Sequence, residues 1–133
     1  MSAIEYQVNH PVQAEEVADV FRDSGIRRPF DDIERIKSMI DNANLIVAAR
    51  DGQKLVGIAR CLTDFRYCCY LSDLAVDKAY QHSGIGKELI QRVQGNLSEE
   101  VSLILLSAPG AMSYYPHVGF NKADNAWIIP RQR

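Results

Sequence analysis

Two glycines one residue apart, at the start of an expected helix, form the part of the chain best suited to chemistry. They lie in Gln81-His82-Ser83-Gly84-Ile85-Gly86-Lys87, shortly after the apolar residues Leu74-Ala75-Val76. The first backbone N–H groups of a helix have no intrahelical acceptor, and the helix dipole makes that end partly positive. Glycines there let a phosphate approach these N–H groups closely. The pattern therefore predicts an anion-binding site, with a pyrophosphate as the best-suited anion.

Other phosphate-binding motifs fit this segment less well. A dinucleotide-binding fold needs Gly-x-Gly-x-x-Gly directly after a strand. Here position 89 is leucine, and seven residues separate Val76 from Gly84. The chain also lacks the Gly-Lys-Ser/Thr of a P-loop. A simple tight turn before a helix stays open as an alternative.

Composition and charge restrict the class of protein. The chain has 133 residues, of which 47% are hydrophobic and 24% charged, as expected of one globular domain spanning residues 1–133. A net charge of −2 without a run of lysine or arginine predicts no nucleic-acid partner and no membrane partner. Residues 1–10 show no signal-peptide pattern, and the three cysteines favour reduced thiols, so we expect a cytoplasmic protein.

Hydrophobic spacing predicts the element order β-α-α-β-β-β-α-β-α-β and a mixed sheet with helices on its faces. Asp51-Gly52 predicts a hairpin turn, and Asp31 or Asp32 is expected to cap the second helix. The expected strands are 4–8, 45–49, 54–63, 67–76, a strand at 101–106 that is apolar apart from Ser102 and buried on both faces, and one or two strands within 120–129. The expected helices are about 12–24, 32–40, 84–94 and a short one at 109–115.

Three segments resemble those of the GNAT superfamily, the acetyl-CoA-dependent N-acetyltransferases. Residues 71–76 are similar to the family's cofactor strand, and residues 80–87 to its Gln/Arg-x-x-Gly-x-Gly/Ala loop. Residues 114–120 are similar to its late aromatic-Tyr-x-x-x-Gly-Phe segment. The segments occur in the family's order and separation, although Gln81 replaces the arginine of many members. The resemblance implies an α/β (α+β) fold whose mixed, mostly antiparallel sheet is splayed at the cofactor strands, with helices on both faces.

The resemblance also implies how acetyl-CoA, as cosubstrate, is bound. The pantetheine arm would bond to the backbone of the cofactor strand, and the pyrophosphate to N–H groups of the loop. Ser107 could bond to the arm, or could begin the turn into Pro109-Gly110. The implied cofactor-binding residues are Leu74, Ala75, Val76, Gln81, His82, Ser83, Gly84, Ile85, Gly86, Lys87 and Ser107.

The implied catalytic residues are Tyr115 and Asp73. Tyr115 occupies the position whose phenol protonates the CoA thiolate in the family, and a phenol with a pKa of about 10 keeps its proton at neutral pH. The alternative is a packing tyrosine with its hydroxyl in water. Tyr114 occupies the neighbouring, usually aromatic, core position. Asp73 could act as the base, directly or through a water, or could be a hydrogen-bonded strand carboxylate. His117 is a weaker candidate for the base. No metal is expected, because the histidines lack metal-ligand spacing.

The expected function is the transfer of an acetyl group from acetyl-CoA to a primary amine of a small molecule, by direct attack in a ternary complex. The alternative is a non-catalytic acyl-CoA-binding sensor or subunit with the same fold. Arg27 and Arg28 could orient an anionic acceptor, or could be solvated loop charges. A homodimer is compatible with the family resemblance, and Trp127 could belong to the core or to a dimer surface.

Overall fold

A five-stranded sheet carries three α-helices in the computed structural model, which describes residues 3–133. The strands are β1 (Ile4–Val8), β2 (Leu45–Asp51), β3 (Lys54–Thr63), β4 (Cys68–Val76) and β5 (Ser102–Ile104), in that order across the sheet. The helices are α1 (Ala14–Ser24), α2 (Ile33–Asp41) and α3 (Ile85–Gly95). Strands β1 to β4 pair antiparallel and β5 is parallel to β4, which confirms the expected mixed, mostly antiparallel sheet.

Local side-chain chemistry explains where the first two helices begin and end. The Gln13 N–H donates to the Glu16 carboxylate at 2.9 Å at the start of α1, and Gly25 ends that helix with a φ of +83°. Asp32, one of the two expected caps, accepts the Arg35 N–H at 3.1 Å and begins α2. None of the helices within residues 3–133 combines the length and the apolar character that a bilayer crossing requires.

The helices cover both faces of the sheet, as the resemblance implied. On one face, α3 buries Leu89 and Val93 against the sheet. On the other face, α1 and α2 bury Val17, Phe21 and Ile36. Removal of these apolar side chains from water is the main stabilisation of the sheet.

Strand β4 contains a bulge at Ser72, which has no partner on β3. Leu71, before the bulge, and Leu74, after it, both pack in the cluster on the α3 face. Ala75 packs on the opposite face with α1 and α2. Residues three apart in a regular strand would point to opposite faces, so the bulge reverses the alternation. It thereby directs Asp73 to the face that carries α1 and α2.

Strands β4 and β5 part soon after they begin to pair. Their pairing covers Cys68 to Tyr70 on β4 and ends at Tyr70 opposite Ile104. Residues 71–76 of β4 continue without a β5 partner, whereas their other edge stays paired with β3. The backbone groups on the open edge therefore face a cleft, as expected for a sheet splayed at the cofactor strand.

The prediction of a strand at 101–106 buried on both faces is wrong. The observed β5 has three residues, and Ile104 and Leu106 are about half exposed, at 50% and 51%. Leu103 and Leu105 pack on the α3 face. The difference arises because α3 covers one face of β5, whereas the core formed by α1 and α2 includes no β5 residue.

The expected elements after β5 are also wrong. Two 3-10 turns, Pro109–Ala111 and Tyr115–Val118, replace the short helix, because proline and glycine disfavour a continuous helix. Residues 119–133 contain no strand, and Trp127 is 96% exposed. A strand there would need a longer neighbouring edge than the three residues of β5 provide.

We predict that Gly57→Val destabilises the protein by about 1–3 kcal/mol, because overpacking a tight core strains it. A Cβ at Gly57 would lie 3.2 Å from both Ile85 and Leu89, where α3 crosses β3. Gly95→Ala is the matched control, because a Cβ there has nothing within 4 Å and alanine favours a helix. Urea unfolding measures both, and an unchanged free energy for Gly57→Val would contradict the close packing.

Candidate active site

The segment of residues 81–87, here called the anion cradle, has two residues in the left-handed region. His82 has a φ of +67° and Gly84 a φ of +85°. The Ser83 hydroxyl donates back to the Tyr80 carbonyl and closes the turn between them. Left-handed residues among ordinary ones make successive N–H groups converge on one point, which is a typical anion nest. A histidine in this region is strained, and such strain is concentrated at functional sites.

The start of α3 adds further free donors to the anion cradle. The Glu88 N–H makes the first intrahelical bond, to the Gly84 carbonyl at 3.0 Å. The N–H groups of Ile85, Gly86 and Lys87 precede that bond, so the helix offers them no acceptor. Lys87 is exposed, and its charge adds to the positive end of the helix dipole. Donors and charge of this kind suit an anion.

Gln81 and Val76 are bonded to each other, so the Gln81 side chain is directed to β4 rather than to the converging N–H groups of the anion cradle. The Gln81 side-chain amide donates to the Val76 carbonyl at 2.9 Å. This bond ties the anion cradle to the end of β4. The Asp77 N–H donates to the Val56 carbonyl on β3, so the alternation of the strand turns the backbone groups of Ala75 to β3 and those of Leu74 and Val76 to the open edge. Because the Val76 carbonyl is taken by Gln81, Leu74 is the backbone position best placed to meet an amide-bearing ligand.

Tyr114 lies over the first turn of α3, a position that the sequence did not indicate. A Cβ at Gly86 would be 3.0 Å from the Tyr114 hydroxyl and 3.9 Å from Val76. Tyr114 is 37% exposed, although we expected it in the core. Adjacent tyrosines in a 3-10 turn point in different directions, and this was the signal that one of them lies outside the core.

Tyr115, the residue expected to act as the general acid, packs against two aromatic rings. Its ring makes edge-on contacts with Tyr114, at a centroid distance of 5.3 Å, and with Phe120, at 5.6 Å. Burial raises the pKa of Tyr115, as does Tyr114, while the positive charge of Arg28 lowers it. Because burial is the largest effect, the hydroxyl keeps its proton at neutral pH and can donate it.

Asp73 is fully buried, with its side chain 0% exposed. Its Oδ1 accepts from the Arg28 Nε and its Oδ2 accepts from the Arg60 Nε. Both oxygens are thus engaged and turned away from solvent. The role as a base stays a prediction, whereas these contacts support the alternative of a hydrogen-bonded strand carboxylate.

The remaining candidates lie apart from a shared centre. The Ser107 hydroxyl donates to the neighbouring Ala108 carbonyl at 2.8 Å, which supports its role in the turn. His117 is exposed on the turn that contains Tyr115. Cys69 is buried, which raises the pKa of its thiol, and Cys68 is exposed. The anion cradle, the open edge of β4 and Tyr115 are the features that best form a site.

We predict that Asp73→Asn lowers the free energy of unfolding by about 3 kcal/mol or more, because it leaves two arginines without their buried counter-charge. Asp41→Asn is the control, since Asp41 and Lys37 form an exposed pair. That change should cost less than about 1 kcal/mol. Urea unfolding of both variants is the measurement. A stable Asp73→Asn protein that has lost only its activity would instead support the role as a base.

Comparison with known proteins gives the family of the chain. The family model described as the acetyltransferase (GNAT) domain matches residues 16–127. An uncharacterised ycf52-like N-acetyltransferase of Prochlorococcus marinus is 33% identical over 100 residues, which are 71% of this chain and 54% of that protein. The chain thus spans about half the length of the curated relatives that it matches.

Solved structures agree with the fold. A protein of unknown function from meticillin-resistant Staphylococcus aureus, described as a probable acetyltransferase, has a TM-score of 0.81 and 20% identity, over 97% of this chain and all of that chain. An aminoglycoside N-acetyltransferase solved in complex with CoA has a TM-score of 0.73 and 13% identity, over 100% of this chain and 97% of that chain. Since the family model covers most of its length, the chain belongs to the GNAT acetyltransferase family.

Proposed function

We propose that this protein transfers an acetyl group from acetyl-CoA to a primary amine of a small molecule, by direct attack in a ternary complex. The observation that carries the proposal is the anion cradle beside the open edge of β4. The anion cradle is suited to an anion and the open strand edge to an amide-bearing arm, and CoA contains a diphosphate and such an arm. The solved aminoglycoside N-acetyltransferase with this fold holds CoA, which supports the proposal.

The residues present fit CoA on steric grounds. A Cβ at Gly84 would meet nothing within 4 Å, so the space above that glycine is open. The N–H groups of Ile85, Gly86 and Lys87 would hold the diphosphate, while the backbone of Leu74, which faces the open edge of β4, would hold the pantetheine arm. Backbone groups make these contacts, so their positions depend on the bulge and the helix start rather than on side-chain type.

In this proposal acetyl-CoA supplies the acetyl group as a thioester. A backbone N–H near Leu74 would stabilise the oxyanion that forms when the nitrogen of the neutral amine bonds to the carbonyl carbon. Tyr115 would give its phenolic proton to the sulfur as the carbon–sulfur bond breaks, and the proton that the nitrogen loses as the amide forms would restore the phenol. The burial that raises the pKa of Tyr115 keeps that proton in place until then.

A second candidate function is a non-catalytic acyl-CoA-binding subunit. The burial of Asp73 between two arginines favours it, because the carboxylate on the cofactor strand is not accessible to an amine. Thiol release from acetyl-CoA across a panel of primary amines separates the two functions. Thiol release that depends on the amine supports the enzyme. Tight binding of acetyl-CoA with no thiol release for any amine of the panel supports the subunit.

We predict that Gly84→Val weakens acetyl-CoA binding at least about tenfold, a change of about 1.4 kcal/mol. The side chain would fill the mouth of the anion cradle, and a φ of +85° disfavours it. Gly95→Val, at the other end of α3, is the matched control for folding and for the helix itself. Calorimetric titration measures both affinities, and circular dichroism confirms the fold. Wild-type affinity in a folded Gly84→Val protein would contradict the assignment.

We predict that Tyr115→Phe lowers kcat by roughly a hundredfold or more while the Kd of acetyl-CoA stays unchanged, since only the proton donor is lost. Tyr67→Phe is the control, because Tyr67 is 78% exposed on the hairpin between β3 and β4. Steady-state kinetics and titration give the two quantities. A greater loss of kcat in Tyr114→Phe than in Tyr115→Phe would contradict the assignment of the acid to Tyr115.

A further inference from the structure

Arg28 is held in one position where β4 parts from β5. Its Nη2 donates to the Ser72 carbonyl at 2.7 Å, and its Nη1 donates to the Arg27 carbonyl at 2.6 Å. Its Nε donates to the buried Asp73. The side chain is nevertheless 26% exposed. The guanidinium is therefore ordered by the protein before any ligand arrives, and a preordered group binds at a smaller entropic cost.

The charges around Asp73 do not balance. Arg28 and Arg60 bring two positive charges to one carboxylate, which leaves one positive charge over. The Arg60 side chain is only 9% exposed, and its other donors reach the Ser72 hydroxyl and the Met39 carbonyl. Within residues 3–133, no second carboxylate lies within ion-pair distance of either arginine. A partly buried cation without a counter-charge favours the binding of an anion.

Arg28 also has donors to spare. A guanidinium has five N–H donors, cannot lose its charge in a protein and matches a carboxylate in geometry. Oxygen atoms of the protein accept hydrogen bonds from three of these five donors, one each at Nε, Nη1 and Nη2. Two N–H donors of a partly exposed, cationic side chain are thus left over. An acceptor-only anion such as a carboxylate is the ligand that these donors suit.

The free donors lie close to the proposed proton donor. The charge of Arg28 lowers the pKa of Tyr115, against the larger effect of burial, so the two groups are within electrostatic reach of each other. The Ser72 carbonyl that Arg28 contacts belongs to the first β4 residues beyond the β5 pairing. A ligand on Arg28 would therefore lie at the part of the cleft that contains Tyr115.

We propose that Arg28 forms a subsite for a carboxylate of the acceptor, so that the amines acetylated by this protein are small molecules with a carboxylate next to the amine. The α-amino acids are the simplest such class. The carboxylate would neutralise the excess positive charge, and the short spacing between carboxylate and amine would bring the amine to the part of the cleft that contains Tyr115. This inference rests on the proposed acetyltransferase function.

The experiment compares α-amino acids with their carboxamides. Thiol release from acetyl-CoA is measured for glycine, alanine, leucine, phenylalanine and glutamate and for the α-carboxamide of each. The amide has the less basic amine, which favours attack at neutral pH, so this difference works against the expected result. We expect kcat/KM to be at least about tenfold greater for the acid in the best pair, since hydrogen bonds between two charged groups are stronger than those to a neutral amide.

Arg28→Gln should abolish that preference, mainly through a higher KM for the acid. The KM for acetyl-CoA should not change. This variant is expected to fold, because it leaves Asp73 paired one to one with Arg60. Arg27→Gln, on the same loop and exposed, is the matched control and should keep the preference. A variant that loses activity equally on acids and amides would show that Arg28 is only structural and would overturn the subsite.

The outcomes separate this inference from the function on which it rests. Turnover of amines with no preference for the acid overturns the subsite and leaves the acetyltransferase intact. If no amine turns over, the acetyltransferase fails, and the CoA-loaded protein is titrated with the same pairs by calorimetry. Binding of the acids alone, lost in Arg28→Gln, would then still support the subsite. Equal binding or no binding of both members of each pair would overturn it.

Discussion

The site depends on the parting of β4 from β5 and on the bulge that accompanies it. Pairing ends at Tyr70, and the bulge at Ser72 follows within two residues. Without the parting, the backbone of residues 71–76 would be consumed by sheet hydrogen bonds. Without the bulge, Asp73 would point towards α3 instead of towards the loop that carries Arg28. The parting of the two strands therefore opens the cleft, and the bulge orders one of its walls.

Two parts of the cleft attract negative charge by different means. At the anion cradle, the left-handed His82 and Gly84 gather backbone N–H groups at the start of α3. At the part that contains Tyr115, Arg28 carries a charge that the buried Asp73 balances only in part. The first device is suited to a diphosphate and the second to a carboxylate. This division is consistent with a long anionic cosubstrate that meets a smaller acidic amine.

Features set by neighbouring residues could be predicted from the sequence, whereas those set by distant residues could not. The Asp51-Gly52 turn and the glycine-rich start of α3 follow from local conformational demands. The apolar run at 101–106 is compatible with burial on one face or both, and only the placement of α3 decides between them. The pairing of Asp73 with Arg28, distant in sequence, requires a bulge that no local pattern announces. Without partners to cover it, the segment after Phe120 forms no strand.

Amide hydrogen exchange with CoA and with pantetheine tests the central claim most directly, because only CoA carries the diphosphate. If the anion cradle binds the diphosphate, saturating CoA should slow exchange at Ile85, Gly86 and Lys87, and saturating pantetheine should not. Both ligands should slow exchange along the open edge of β4, at the Leu74 amide. Unchanged exchange of the three α3 amides in the CoA-saturated protein would contradict the account.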